Sequence, residues 1–264
     1  IYTGEDTLSL HDALPISPRW CATRRRPDVS GVQPGEFAGQ VVLITGAAGG
    51  LGSELAKQAA SAGATVVLAG KRVRALEKVY DAIVAAGGPE PAIYPINLEG
   101  ATPAEFAAMA DTIAQQCGRL DVLIHAAASF SGLTPLESLP AEDWLRSLQV
   151  NLNAPFVLTQ QCLPLLRASR GACMFVLDDE ARVGNAFWNA YGVAKFALRG
   201  LVSQWSQELE NAGVRVLSFT PPPMRTTLRS RAYFAENPEL IDTAEAPAAQ
   251  CLNLIARAEG AKVH

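Results

Sequence analysis

Two stretches of this chain have the residue types and spacing to do chemistry. The first is "TGAAGGLGSELAKQ", residues 45–58, which follows the apolar run "VVLIT" (41–45) and opens a helical pattern. Gly46, Gly50 and Gly52 allow a tight turn and let the backbone approach a pyrophosphate. The free N–H groups and the positive dipole end of the helix then face that anion. The second is "MFVLDDEARVGNAFWNAYGVAK", residues 174–195. Tyr191 and Lys195 are i and i+4, so a phenol and an ammonium share one helical face. Thirteen residues before the tyrosine stands Asp178, the first of three acids with Asp179 and Glu180. An ionised carboxylate only accepts hydrogen bonds.

Regular elements must hold these residues in place. Six short apolar runs, 41–45, 65–69, 92–96, 121–125, 173–177 and 214–219, read as strands buried on both faces, as in a parallel sheet. Helical patterns at 50–62, 72–86, 103–117, 141–168 and 189–211 separate them. A short helix or lid at 224–236 and a last helix at 244–257 follow. Repeated β-then-α with right-handed crossovers predicts an α/β fold: a single Rossmann-like doubly wound parallel sheet with helices on both faces. The glycine loop then sits between strand and helix of a βαβ unit, the context in which such a loop binds a dinucleotide rather than merely turning. The chain stops at "AKVH", where a seventh edge strand would begin, so the end reads as truncated.

The 264 residues fit one large domain; 49% are hydrophobic and 18% charged, enough apolar content for a substantial core. The formal net charge is -4 with no basic stripe, which argues against a nucleic-acid partner. No run of 18 apolar residues is present, which excludes a membrane-spanning helix by this criterion. The five cysteines, at 21, 117, 162, 173 and 251, have no paired or metal-ligand spacing and read as reduced thiols of a cytoplasmic protein. Residues 1–38 read as a non-domain segment: 1–16 lack periodicity and resemble translated adapter read-through, and the "RRR" at 24–26 reads as a solvated tail. The domain is expected to span 39–264.

The spacing of Thr45, Gly46, Gly50 and Gly52, together with Tyr191-x-x-x-Lys195 behind it, resembles the short-chain dehydrogenase/reductase family over nearly all of residues 39–264. "HAAA" (125–128), "VNLNAPFVLTQQCLPLL", "NAFWNAYGVAKFAL" and "MRTTLRS" are most similar to its YciK-type branch. The resemblance implies a nicotinamide cofactor and a small carbonyl or alcohol substrate. Tyr191 would exchange a proton with the substrate oxygen. Lys195 would lower the tyrosine pKa and bind the nicotinamide ribose, and Asn151 would hold a water linking Lys195 to solvent. Cofactor contacts are implied at Thr45, Gly46, Gly50, Leu51, Gly52, Asn97, Leu98, Ala126, Met224 and Thr226, besides Tyr191 and Lys195. Where an acid would bind ribose hydroxyls, the second strand ends in Gly70, Lys71 and Arg72. These cations would attract a 2′-phosphate, which favours NADP(H) over NAD(H) unless they are simply solvated. The helices at 141–168 and 189–211 are implied as faces of a homodimer or homotetramer.

Several positions depart from the family pattern. Asp178 occupies the place of a serine whose hydroxyl stabilises the developing oxyanion, and losing such a donor typically costs about 2.7–4 kcal/mol. A carboxylate there would also raise the tyrosine pKa. Either neighbouring acids keep Asp178 protonated and able to donate, or the acids form a solvated turn and the serine role is empty. Ala126 replaces an asparagine that ties adjacent strands, Ala128 replaces a glycine near the ribose, and His125 reads as a packed strand-end residue. Pro222 removes a flexible φ and a backbone donor. Arg225, Arg229 and Arg231 either suit an acidic substrate or are lid charges in solvent. Two functions follow: an NADP(H)-dependent carbonyl/alcohol oxidoreductase with Asp178 in the serine position, or an NADP(H)-binding sensor or subunit of the same fold. A dehydratase using the acid cluster is a weaker third.

Overall fold

The computed structural model describes residues 32–260. Six strands, β1 (Val41–Thr45), β2 (Thr65–Gly70), β3 (Ala92–Pro95), β4 (Val122–His125), β5 (Ala172–Val176) and β6 (Arg215–Phe219), form one parallel sheet in the order β3-β2-β1-β4-β5-β6. The helices are α1 (Gly50–Ser61), α2 (Val73–Ala85), α3 (Pro103–Cys117), α4 (Ala141–Leu148), α5 (Ala154–Ser169), α6 (Glu180–Val183), α7 (Asn189–Glu208), α8 (Thr227–Ala232) and α9 (Glu245–Gly260).

The continuous apolar runs arise because each strand is covered on both faces. Val42 and Ile44 of β1, Val66 and Leu68 of β2 and Met174 of β5 join one core. Leu55 of α1, Ile83 of α2 and Leu252 of α9 pack there as well. Their neighbours Val41, Leu43, Val67 and Phe175 point the other way, into a core with Phe106 of α3, Leu158 of α5 and Trp205 of α7. Strand alternation with period two divides one apolar run between two cores. The strand order reverses between β1 and β4, and at such a switch point the carboxyl ends of the strands open a crevice.

Two expectations are corrected, and one of the two alternatives left open for the acids falls. Phe37 is fully buried in the first core and its amide donates to the Ala62 carbonyl, so the folded unit begins before Gly39. The acidic turn is not solvated as a whole, since Asp178 is buried. The helix expected at 141–168 is interrupted by a π turn over Gln149–Asn153. Pro155 explains the break: it has no N–H for the carbonyl of Asn151, and its ring crowds that carbonyl. β6 is the edge of the described sheet; residues 261–264, where a seventh strand would begin, and residues 1–31, including Cys21 and the arginine run, lie outside the described residues. No described helix is long and apolar enough to cross a membrane.

Candidate active site

A cleft of about 460 Å³ opens at the switch point. Of the catalytic and cofactor-binding residues expected from the sequence, all but Thr45 and Asn151 line it. Its charged lining comprises Lys71, Arg72, Arg182, Lys195, Arg229 and Arg231 against Glu99 and Asp178, six cations to two carboxylates in a chain of net charge -4. A cleft of that sign suits a polyanion.

The glycine loop is built for close approach. Gly46 has φ +68°, and a Cβ there would lie 2.7 Å from the Ala127 Cα; a Cβ on Gly52 would strike the Gly46 carbonyl. α1 starts at Gly50 with no side-chain cap, so its first amides are free to serve an anion. The loop therefore fits a dinucleotide pyrophosphate. Thr226 packs its methyl group toward Gly50 and accepts the Arg229 amide with its hydroxyl, capping α8. Thr45 lies behind the loop: its hydroxyl donates to Ile124 O at 3.4 Å and accepts from Ala127 N at 3.3 Å. It ties β1 to the end of β4, where Ala126 offers no side-chain bond. At the far end, Lys71 pairs with Glu99 at 2.6 Å and Arg72 donates to the Ala48 carbonyl. The Asn97 side chain accepts from Glu99 N in a local turn, and Leu98 is buried beneath.

The opposite half holds the catalytic candidates. Tyr191, Lys195, Asp178 and Asn151 are each at most 5% exposed. The Tyr191 hydroxyl donates to Asp178 Oδ2 at 2.6 Å, and Lys195 Nζ donates to the Val176 carbonyl at 2.8 Å. The lysine ammonium lies 5.6 Å from the tyrosine ring centre, on the same helical face. Burial, then the charge of Asp178 and its hydrogen bond, raise the tyrosine pKa well above its ordinary value, against a smaller lowering by Arg182. Burial pushes Lys195 down to about 8, opposed by Asp178. Asp178 thus raises the tyrosine pKa as expected, but the lowering expected of Lys195 is not among its causes; Arg182 supplies it.

Asp178 is an acceptor in every contact. Oδ1 receives the Asp179 amide at 2.7 Å and the Arg182 guanidinium, while Oδ2 receives Tyr191. Its neighbours turn away: Asp179 caps α6 and Glu180 pairs with Arg199. The contacts are those of a carboxylate rather than of a donating acid. Asn151, inside the π turn, is held by Ser147 and Ser129: its amide donates to both carbonyls at 2.8 Å and its oxygen accepts Ser129 N at 3.1 Å. Among the described residues it makes no direct hydrogen bond to Lys195. His125 is buried, bonded to Thr159 at 2.8 Å and stacked on Phe175; burial, then Lys195, lower its pKa to about 3. It is a neutral packing residue.

The wall above Tyr191 is aromatic. Phe130, Trp188 and Tyr191 cluster with centroids 5.2–5.9 Å apart. The chain enters α7 through Phe187 at φ +75° and Asn189 at φ +44°, a conformation strained for such residues. It is pinned by Asn189 donating to Gly132 O and by Thr134 N donating to Phe187 O. The three lid arginines have partners: the Arg225 side chain donates to Ile241 O, Arg229 pairs with both oxygens of Glu236, and Arg231 donates to the Phe130 carbonyl, while Arg225 and Arg231 remain exposed to solvent. Arg182, Glu99 and the aromatic wall were not singled out from the sequence. The signal for Arg182 was its i+4 spacing from Asp178; the wall joins residues about 60 positions apart and left none.

Residues 40–236 match the family model for short chain dehydrogenases. The uncharacterised oxidoreductase YciK of Escherichia coli K-12 is 33% identical over 205 residues, 77% of this chain and 81% of that protein. A protein of Pseudomonas syringae described as a short chain dehydrogenase superposes with a TM-score of 0.81 at 41% identity, over 85% of this chain and 92% of the other. A protein of Shigella flexneri 2a strain 301, crystallised with NADP, has a TM-score of 0.77 at 31% identity, over 81% and 89%.

Proposed function

The chain belongs to the short-chain dehydrogenase/reductase family, in its YciK-type branch, and on that premise we propose that it is an NADP(H)-dependent oxidoreductase interconverting a carbonyl and an alcohol. The observation that carries this reading is the pairing of buried Tyr191 and Lys195 in one cleft with an uncapped glycine-rich helix start. The Shigella protein's NADP, together with Lys71 and Arg72 at the cleft end, supports the phosphorylated cofactor.

The bound nicotinamide supplies or accepts hydride at the substrate carbon. The loop amides bind its pyrophosphate. Lys71 and Arg72 receive the 2′-phosphate, with Lys71 exchanging its Glu99 partner for that anion. In the reductive direction Tyr191 turns its proton from Asp178 to the substrate oxygen. Its raised pKa keeps it protonated, the form a general acid needs. Lys195 and Asn151 return the proton from solvent through water. The aromatic wall excludes bulk water from the reacting oxygen. Two copies of the chain associate through α4, α5 and α7.

Purified protein should bind NADPH and oxidise it with members of a ketone and aldehyde panel, and Tyr191→Phe should retain NADPH affinity within about threefold while losing turnover by ~10²-fold or more. The bond between Tyr191 and Asp178 favours a second reading, a sensor or subunit in which the phenol's proton stays committed to the acid. Binding without turnover in the parent, with turnover appearing in Asp178→Ser, would establish that reading instead.

A further inference from the structure

We propose that Arg182 donates the hydrogen bond that stabilises the substrate oxygen as charge develops on it, and that Asp178 positions Arg182 for this task. The inference rests on the oxidoreductase reading above. Asp178 stands where a neutral donor belongs, yet both of its oxygens are occupied as acceptors and it offers nothing to an oxyanion. The same carboxylate fastens two donors side by side, Tyr191 through Oδ2 and Arg182 through Oδ1. The guanidinium therefore lies one carboxylate's width from the phenol that delivers the proton.

The donors of Arg182 are largely unspent. Nη2 serves Asp178, Nε is buried with no partner, and no other hydrogen bond of the guanidinium is formed among the described residues. Nε is shut off from solvent and so does not itself face the cleft; the donors left for a ligand are those of Nη1 and the second hydrogen of Nη2. The guanidinium packs over Trp188 at 5.5 Å, so the indole and the carboxylate fix its plane, and the side chain lines the cleft beside Tyr191. The other cations of this half are committed: Lys195 to Val176 O, Arg229 to Glu236 and Arg231 to Phe130 O. Arg182 is thus the charge next to the reacting phenol with donors to give. It also offsets the repulsion between Asp178 and a developing alkoxide. Arg182 transfers no proton; as hydride reaches carbon, the electron pair of the C=O π bond moves to oxygen, which takes the Tyr191 proton.

The test is turnover of a neutral ketone by wild type, Arg182→Gln, Asp178→Ala and the double variant, with NADPH affinity and thermal melting as checks of folding. We expect Arg182→Gln to lower kcat by ~10²–10³-fold, with KM and NADPH Kd changed by less than about threefold. Arg182→Lys, which keeps the charge but not the planar fork, should lose about tenfold. In the Asp178→Ala background, Arg182→Gln should still cost tenfold or more, as expected of a group that acts on the substrate. An unchanged kcat in Arg182→Gln would overturn the proposal. So would a loss that vanishes without Asp178, which would make Arg182 only its counter-ion, or one confined to the KM of keto acids, which would make it a carboxylate clamp. If Arg182→Gln fails to bind NADPH, Arg182→Lys decides by the same criteria. A wild type that binds NADPH but turns over no carbonyl defeats the oxidoreductase reading and this inference together; an active wild type indifferent to Arg182 defeats this inference alone.

Discussion

Asp178 joins a phenol, a guanidinium and a backbone amide on one carboxylate, and its effect on the site depends on which of them moves first. The residue beneath them, Lys195, has the clearest consequence for stability. It is buried and its pKa is lowered from 10.5 to about 8, so between those values the unfolded chain binds more protons than the folded one. Stability therefore rises with pH across that window as the buried ammonium is neutralised. The contribution is on the order of 3 kcal/mol at one pKa unit per 1.36 kcal/mol. Tyr191 works the other way above pH 10, because it stays protonated in the fold while the unfolded phenol ionises. Urea denaturation of the cofactor-free protein at pH 7.5 and 9.5 should show wild type gaining stability relative to Lys195→Met. Equal pH dependence in both proteins would mean that the lysine is not held as an uncompensated buried charge.

At the scale of elements, the π turn between α4 and α5 has the strongest link to function. It places Asn151 where its amide clamps Ser129 at the base of the aromatic wall, and Pro155 enforces it by withholding one amide from the ladder. Replacing Pro155 with Ala returns that amide and lets α4 and α5 join as one regular helix. The variant should be as stable as the parent or more so, while kcat falls roughly tenfold because the Asn151–Ser129 clamp is displaced. Steady-state kinetics beside a thermal melt checks both halves. The N-terminus of α3 offers a contrasting control outside the cleft lining. There Thr102 and Glu105 form a reciprocal capping box, and Thr102→Ala should cost about 1 kcal/mol with kcat unchanged.

At the scale of the molecule, apolar side chains remain exposed on the helices implied as assembly faces. Leu145 of α4, Phe156 of α5, and Val193 and Phe196 of α7 are each 40% exposed or more, although the sheet behind them is fully covered. Sedimentation should find a homodimer or homotetramer. The pair of changes Phe156→Lys and Phe196→Lys should shift it toward monomer without altering the helical circular dichroism. A monomeric parent would remove the assembly reading and leave the cleft as described, since every residue lining it comes from one chain.

Strand positions, the β-then-α order, the glycine loop and the Tyr191–Lys195 pair were legible in the sequence because each is local. Apolar runs, glycine spacing and an i+4 interval report the conformation of a dozen residues or fewer. The observed strands agree with the expected ones to within one residue at each end, because parallel strands covered on both faces carry a continuous apolar signal. The break in the long helix was also written locally, in Pro155 at the middle of the expected span, yet Pro164 sits inside α5 without ending it, so a proline alone does not say where a helix breaks. What the tertiary structure decided was where charges point. Three adjacent acids look alike in sequence, but one caps a helix, one pairs with Arg199, and one turns inward to hold Tyr191 and Arg182. The arginines of the lid likewise found carbonyls and a carboxylate as partners, although Arg225 and Arg231 stay exposed. A long polar side chain spans several positions of neighbouring elements, and its energy depends on burial and partners that only packing supplies.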